Sequence, residues 1–223
     1  MATQPRFLPA GGSPQPGDIF GEPPTELDQL PDMEALKSRV LGCRACPLRD
    51  GCQGVVFGEG NPSARLMLIG EGPGADEDRL GRPFVGRAGQ LLDRILAAGG
   101  FERFTHTYIA NVVKCRPPGN RVPVWEERAA CWPNLRAQIR LVRPKIVILL
   151  GATAVQTLLD PRASITRLRG QWVQKDGIWF LPTYHPAALL RDPEKKRPVW
   201  EDVKAVVRKY RELVDPNHVC KYV

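Results

Sequence analysis

The sequence predicts an α/β protein in which a mostly parallel sheet is covered by helices on both faces. Short apolar segments typical of buried strands alternate along the chain with longer segments whose apolar residues recur at helical spacing. The chain has 223 residues, of which 43% are hydrophobic and 25% charged, so it is long enough for one α/β domain with a sizeable core.

The predicted elements begin after an N-terminal tail. Residues 1–32 are rich in Pro and Gly and lack apolar periodicity, so they are predicted to be a disordered acidic tail. Residues 33–42 have the spacing of a short amphipathic helix, and 65–70 (RLMLIG) are an apolar run ending in glycine, which is typical of a buried parallel strand. Residues 86–100 have helical spacing and a Gly-Gly end, which predicts the next helix.

Two further strands are predicted at 106–113 and 144–150. The segment between them, 124–142, has a helical pattern, although Pro133 is expected to kink this helix or to end its first half. A short helix at 152–159 is predicted to follow the third strand.

The C-terminal part continues the alternation of strands and helices. Residues 171–184 contain Lys-Asp-Gly between two alternating runs, which predicts a hairpin whose second arm is the last core strand. Residues 198–213 predict an amphipathic helix with Pro198 in its first turn. The glycine turn at 70–78, the region of Asn111 and the neighbourhood of His185 all follow strands, so we expect them to meet at one edge of the sheet.

The glycine turn, GEGPGADED, lies where phosphate-binding loops occur, between a strand and a helix. It matches neither G-x-x-x-x-G-K-[ST] nor the helix start of G-x-G-x-x-G, and its four acidic residues make an anion site unfavourable. Complementing the dipole of the following helix explains some of the acidic residues at 76–78. It does not explain Glu71, which lies in the turn itself.

The net charge is +8, and residues 1–32 contain one basic and five acidic residues, so the positive excess lies in the rest of the chain. A basic body favours a polyanionic partner, most often nucleic acid, although solubility alone is an alternative explanation. No run approaches 18 apolar residues, and the N-terminus lacks the apolar core of a secretory signal. We therefore expect no membrane partner and a cytoplasmic location.

The six cysteines favour a metal or iron–sulfur site over disulfides. Cys43 and Cys46 have a C-x2-C spacing that zinc, redox and iron–sulfur sites share. Two distant single cysteines, Cys115 and Cys131, suit a 4Fe–4S cluster better than a zinc ribbon, which would usually have a second C-x2-C pair. The alternative is that these two are small buried apolar side chains, and Cys52 stays in contention as a ligand.

Four other side chains lie where a site would use them. His185 follows the last strand, and Phe84 lies in the loop GRPFVG, where its ring is available to stack on a planar ligand. Asn111 and Asn120 carry amides, which read a pyrimidine edge by paired donor and acceptor. The alternatives are a structural histidine, a core aromatic residue and turn-forming asparagines.

The chain resembles a family 4 uracil-DNA glycosylase, the iron–sulfur branch of the uracil-DNA glycosylase superfamily. The resemblance rests on GEGPGADEDRLGRPFVGRAGQLL, NVVKCRPPGNR, YHPAALLR and the order of four cysteines, and it covers roughly residues 36–213. It implies a three-layer α/β/α sandwich with a central four-stranded, mostly parallel sheet. It also implies DNA repair chemistry, in which the N-glycosidic bond of deoxyuridine is hydrolysed and free uracil and an abasic site result.

The resemblance implies roles for single residues in uracil binding. Phe84 would stack on the extruded uracil, Asn111 would bond its edge and reject cytosine, and His185 would donate a hydrogen bond to uracil O2. Glu77 would stand near uracil C5 and exclude the methyl group of thymine. Gly72 would lie in the uracil site, at the place where the best-known members have the Asp that activates water.

In the absence of that Asp, Glu71 and Asn120 are the candidates for positioning the water or holding the loop, with Glu71 the stronger. Leu189 would fill the gap that the flipped base leaves in the stack, and Arg191 would contact a DNA phosphate. The resemblance implies four ligands for a 4Fe–4S cluster that stabilises the fold: Cys43, Cys46, Cys115 and Cys131.

The predicted organisation is a tail at 1–32, a glycosylase domain at 33–214 that holds the cluster, and a C-terminal tail at 215–223. We expect a monomer whose partner is single- or double-stranded DNA that contains uracil. Three alternatives remain: a relaxed glycosylase for deaminated bases, a covalent uracil-DNA trap and a non-catalytic iron–sulfur module. The polar first motif argues against the first alternative. The absence of histidine from RPPGNRVPVWEE argues against the second, and the joint presence of Glu71, Asn111 and His185 against the third.

Overall fold

The computed structural model describes residues 23–223, and within them a six-stranded mixed sheet lies between two layers of helices. The strands in chain order are β1 (Glu59–Gly60), β2 (Leu66–Gly70), β3 (Thr107–Asn111), β4 (Ile146–Leu150), β5 (Val173–Lys175) and β6 (Ile178–Thr183). Their spatial order is β1-β3-β2-β4-β6-β5. The four central strands are parallel, and β1 and β5 add antiparallel edges. This confirms the three-layer sandwich around a four-stranded parallel sheet, which the two short edge strands extend.

The helices within 23–223 are α1 (Met33–Leu41), α2 (Ala75–Leu80), α3 (Arg87–Ala98), α4 (Trp125–Val142), α5 (Ala152–Leu158), α6 (Ile165–Leu168), α7 (Pro186–Arg191) and α8 (Lys196–Leu213). Alternate strand residues face opposite layers, as the strand period requires. In β2, Met67 and Ile69 belong to the core with α1, α4 and α5, whereas Leu66 and Leu68 belong to the core with α3 and α8. In this part of the chain no helix has the length and apolarity of a membrane span.

The helix α4 runs without interruption through Pro133, so the expectation that its first half would end there is wrong. Proline removes one backbone hydrogen bond and crowds the preceding turn, which would end an isolated helix. Here Cys131 and Leu135 are buried in the same core on either side of Pro133. Packing of the helix face therefore outweighs the local preference of the proline.

The N-terminal tail predicted at 1–32 is partly folded. Residues 1–22 lie outside the described residues, but Glu26–Gln29 forms a 3-10 helix whose Leu27 packs on the core. The side chain of Asp28 is 2% exposed there and forms an ion pair with the buried Arg136 of α4. The Pro-rich composition gives no indication of the ion pairs of Asp28 with Arg136 and Arg140 of α4, which fasten this segment to the domain.

The C-terminal tail predicted at 215–223 also packs on the domain. His218 is buried, its Nε2 lies 2.9 Å from the carbonyl oxygen of Gly99, and its ring stacks on Phe101 with centroids 4.4 Å apart. The buried Sγ of Cys220 donates to the carbonyl of Ala98. The folded unit consequently extends beyond 33–214 at both ends.

Candidate active site and cysteine cluster

A cleft of about 480 Å³ opens at the edge of the sheet where the parallel strands end. Glu71 follows β2, Asn111 ends β3, Gly151 follows β4 and His185 lies two residues after β6, and all four line the cleft. The sheet thus brings together the segments that the sequence predicted to meet. This edge is where open parallel sheets bind their ligands.

The end of β2 has to be glycine because two side chains cross it. A Cβ on Gly70 would lie 2.5 Å from Asn111 Oδ1 and 2.5 Å from the ring of Phe84. Asn111 is buried, and within the described part of the chain its Oδ1 has no hydrogen-bond partner. Such an unsatisfied acceptor costs roughly 1–3 kcal/mol. The amide oxygen of Asn111 is therefore available to accept a hydrogen bond from an N–H group of a ligand, and the Phe84 ring lies beside it.

His185 is positioned as a neutral hydrogen-bond donor. Its Nδ1 accepts a hydrogen bond from the backbone N–H of Ala187 at 3.1 Å, at the start of α7, so Nε2 carries the proton. Burial, aided by the positive charge of Arg191 and opposed by Glu77, lowers the pKa of His185 to about 4. The ring lies against Phe84, with centroids 5.5 Å apart and planes tilted by 30°. At neutral pH this side chain is an uncharged donor.

Glu71 is held by a residue that the sequence analysis missed. The hydroxyl of Thr153, in the first turn of α5, donates a hydrogen bond to the Glu71 carboxylate, and Thr153 itself is buried. Burial lowers the pKa of the nearby Arg128, and the negative charges of Glu71 and Glu126 oppose this shift. A carboxylate fixed in a cleft wall has the chemistry of a general base. Its position in the first turn of the helix that follows β4 is the signal that would have found Thr153.

Glu77 lines the cleft, but its carboxylate is engaged with the backbone. One oxygen accepts hydrogen bonds from the N–H groups of Val85 and Gly86, both at 2.9 Å. The other accepts the N–H of Gly74 at 3.1 Å. Glu77 therefore ties the glycine turn to the loop that carries Phe84. Its proposed position near uracil C5 remains a prediction.

Gly72, Asn120 and Arg191 also line the cleft. A Cβ on Gly72 would meet Val113 Cγ2 at 2.8 Å, so an Asp at this position would displace its neighbour. Asn120 Oδ1 accepts a hydrogen bond from Arg116 Nε at 2.7 Å. This bond favours a role for Asn120 in holding its loop.

Leu189 does not face the cleft. It is 2% exposed and packs with Leu91 and Val199, which conflicts with the prediction that Leu189 enters the DNA stack. The motif contains two adjacent leucines, Leu189 and Leu190, and the orientation of α7 about its axis decides which of them faces outward. Leu190 is 38% exposed and is the apolar side chain that α7 presents to solvent.

Four cysteines surround one small cavity, as the resemblance implies: Cys43, Cys46, Cys115 and Cys131. All cysteines of the described residues are free thiols. Among residues 23–223, no group of three or more His, Cys, Asp or Glu side chains has the arrangement of a metal-ion site. The fifth thiol, Cys52, donates to the carbonyl of Arg49 and interacts with Cys115.

Burial at this cavity disfavours the thiolate form of three of the four cysteines. Burial raises the pKa of the thiols of Cys46, Cys115 and Cys131. At Cys131 the positive charge of buried Lys114 and an amide hydrogen bond from Asn134, at 3.6 Å, oppose this shift. Thiolates in such a site need a bound cation or cluster to offset their burial.

The family model described as the uracil DNA glycosylase superfamily matches residues 57–204, well over half of the chain. The chain belongs to the uracil-DNA glycosylase superfamily. The match contains every cleft residue described above, together with Cys115 and Cys131, whereas Cys43 and Cys46 precede it.

Individual relatives agree with the superfamily assignment. The chain is 48% identical over 178 residues to a type-4 uracil-DNA glycosylase of Thermotoga maritima, covering 77% of this chain and 91% of the relative. It is 42% identical over 193 residues to a type-4 uracil-DNA glycosylase of Sulfurisphaera tokodaii, covering 82% and 86%. A type-5 uracil-DNA glycosylase of Pyrobaculum aerophilum is 33% identical over 146 residues, covering 58% and 64%.

Proposed function

We propose that this superfamily member hydrolyses the N-glycosidic bond of deoxyuridine in DNA and releases free uracil, which begins base excision repair. The observation that carries the proposal is the pairing, in one cleft, of the unsatisfied Asn111 oxygen with the neutral donor His185. The type-4 uracil-DNA glycosylases among its relatives support the same substrate.

Uracil fits the donors and acceptors of this cleft. Its N3–H matches the Asn111 Oδ1 that lacks a protein donor, and its O4 accepts from the same amide. Cytosine has no proton at N3 and carries an amine at C4, so it would leave the buried amide mismatched. The Phe84 ring supplies a stacking surface beside this edge.

The bond between C1′ and N1 breaks with its electron pair going to the base. Negative charge then develops on uracil O2, where we place the Nε2–H of His185. This hydrogen bond strengthens as the bond breaks, so it stabilises the transition state more than the bound substrate. Because His185 is already neutral, it does not need to lose a proton before acting as donor.

Water completes the reaction at C1′, which carries the positive charge of an oxocarbenium-like state. We assign Glu71 to orient this water and accept its proton, with Thr153 holding the carboxylate in place. The hydroxyl of the water forms the new bond to C1′. The proton that Glu71 accepts from the water offsets the negative charge of the released uracil anion. Negative charge in the glycine turn also favours the developing cation.

DNA would reach the cleft with the uracil flipped out of the helix, which costs a few kcal/mol. We place Leu190 in the gap that the base leaves, since it is the exposed leucine of α7, and Arg191 on a phosphate. The net charge of +8 favours the polyanion over long range. We propose that one chain acts alone on single- or double-stranded DNA.

We further propose that the four cysteines around the small cavity hold a 4Fe–4S cluster. The donor set fits, because it consists of two buried and two half-buried thiols with a buried ammonium and an amide N–H as electrostatic partners. When bound, the cluster would join the end of α1, the loop after β3 and the middle of α4, and so stabilise the fold. No step of the hydrolysis uses it.

The test is incubation with oligonucleotides that contain uracil unpaired, opposite adenine and opposite guanine. Release of free uracil together with an alkali-labile site supports the proposal. A denaturant-stable adduct would indicate a trap, and unchanged DNA a binding module, and either result overturns it. A hypoxanthine oligonucleotide tests the relaxed alternative, since comparable release from it would indicate a glycosylase for deaminated bases in general and overturn the assignment of uracil as the specific substrate.

A further inference from the structure

The loop that carries Phe84 has an unusual backbone. Phe84 has φ of 51°, in the left-handed region that bulky side chains rarely adopt. Gly89 of α3 lies directly against it, since a Cβ there would be 1.9 Å from the Phe84 carbonyl oxygen. Such a conformation persists where the surroundings fix it at several points.

Hydrogen bonds hold both the N–H groups and the carbonyl groups of this loop's backbone. The Glu77 carboxylate binds the N–H groups of Val85 and Gly86. The guanidinium of Arg103 donates to the carbonyls of Pro83 and Phe84, the latter at 3.3 Å. The backbone around Phe84 is thus bound by two charged groups, the Glu77 carboxylate of α2 and the Arg103 guanidinium in the turn before β3.

Arg103 is itself fixed in position. Its side chain is 10% exposed and pairs with Glu59 of the edge strand β1 at 2.7 Å and with Asp93 of α3 at 2.8 Å. Arg82 pairs with the same Glu59 at 2.8 Å, but its side chain is 53% exposed. Arg82 therefore shares the partner and the charge of Arg103 and is the natural control.

We propose that Arg103 is a positioning residue for uracil binding: it fixes the carbonyls of Pro83 and Phe84 and so holds the Phe84 ring over the base site. This inference rests on the proposed function of the cleft. The planar guanidinium reaches two carboxylates and two carbonyls at once, which a lysine ammonium on its flexible stem does not reproduce. The edge strand β1 therefore does more than extend the sheet: its Glu59 accepts a hydrogen bond from Arg103 and helps to fix the position of that guanidinium.

The kinetic test compares R103Q, R103K and R82Q in uracil release, alone and in an F84A background. Base–aromatic stacking predicts a loss of about tenfold in kcat/KM for R103Q, with R103K intermediate and R82Q near wild type. Since Arg103 acts through Phe84, R103Q should cause little further loss in the F84A background. An undiminished further loss there, or equal effects of R103Q and R82Q, would overturn the proposal.

A structural readout separates this inference from the proposed function. Amide hydrogen exchange at Val85 and Gly86 should become faster in R103Q and stay near wild type in R82Q, whatever the substrate proves to be. Unchanged exchange in R103Q refutes the loop-holding role directly. If wild type releases no uracil, the proposed function fails, and with it the link from this loop to uracil.

Discussion

At the scale of single residues, each reactive side chain in the cleft depends on a neighbour for its state. His185 donates from Nε2 because the N–H of Ala187 occupies Nδ1. Glu71 points into the cleft with the Thr153 hydroxyl bound to its carboxylate. The family resemblance suggested these roles, and the neighbours supply the protonation and orientation that the roles require.

The pH dependence of kcat tests the state of His185. A pKa of about 4 lies below the ordinary value of 6.5, so the ring stays neutral as pH falls through 6 and gains its second proton near pH 4. Protonation at Nδ1 would break the bond from Ala187. We expect ionisation of this ring to leave kcat unaffected from pH 8 to about 5 and to lower it towards pH 4. Single-turnover rates check this, and a fall centred near 6.5 that disappears in H185A would contradict it.

Substitution E71Q should remove most of the activity while the fold is kept. An amide keeps the shape of the side chain but does not accept the proton of water, and loss of a general base costs about 100- to 10,000-fold. The control is D76N, which changes an acidic residue of the same segment whose exposed carboxylate pairs with Arg79. Uracil release and circular dichroism of both variants are the measurements. Near-wild-type turnover by E71Q would exclude Glu71 as the base.

At the scale of elements, buried strands follow from sequence more directly than the helices and loops that border the site. The apolar runs of β2, β3 and β4 predict buried strands because both faces of a parallel sheet are covered. Packing against other parts of the chain decides two features that local patterns do not: α4 continues through Pro133, and the side chain of Leu189 faces the core. Local patterns contain no information about these partners.

The N-terminal segment offers an element-scale test of stability. Asp28 pairs with the buried Arg136 and with Arg140, and breaking a buried ion pair costs about 3–5 kcal/mol. We therefore expect D28A to lower the free energy of unfolding by that order. The control E26A removes an exposed pair with Arg39 and should change stability by less than about 1 kcal/mol. Denaturant unfolding compares the two, and equal effects would contradict the role of Asp28 as an anchor.

At the scale of the whole molecule, the sheet edge and the cysteine cavity are joined through one short segment. Lys114 donates to the carbonyl of Asn111 at 2.8 Å and lies beside the thiols at the cavity. The sequence motif NVVKCRPPGNR predicted both sites. The motif did not show that the buried Lys114 connects the two sites. The buried ammonium of Lys114 donates a hydrogen bond to Gln138 of α4, a partner that lies outside the motif.

Iron content tests the assignment of the cluster. Purified protein should be brown with about four iron atoms per chain. C131S should lose iron and stability, because this thiol lies at the cavity and its loss removes one ligand. C220S should retain iron, since that thiol lies against Ala98 instead. A colourless, zinc-loaded wild type, or full iron in C131S, would contradict the assignment.

The proposed mechanism requires that this cleft release uracil from DNA with His185 as donor to the departing base. Single-turnover uracil release by wild type and H185A, with circular dichroism and iron content matched, tests it most directly. We expect release by wild type and a rate about 100- to 1,000-fold lower in H185A, the loss expected for one donor at a developing anion. No release by wild type, or equal rates for the two proteins, would contradict it.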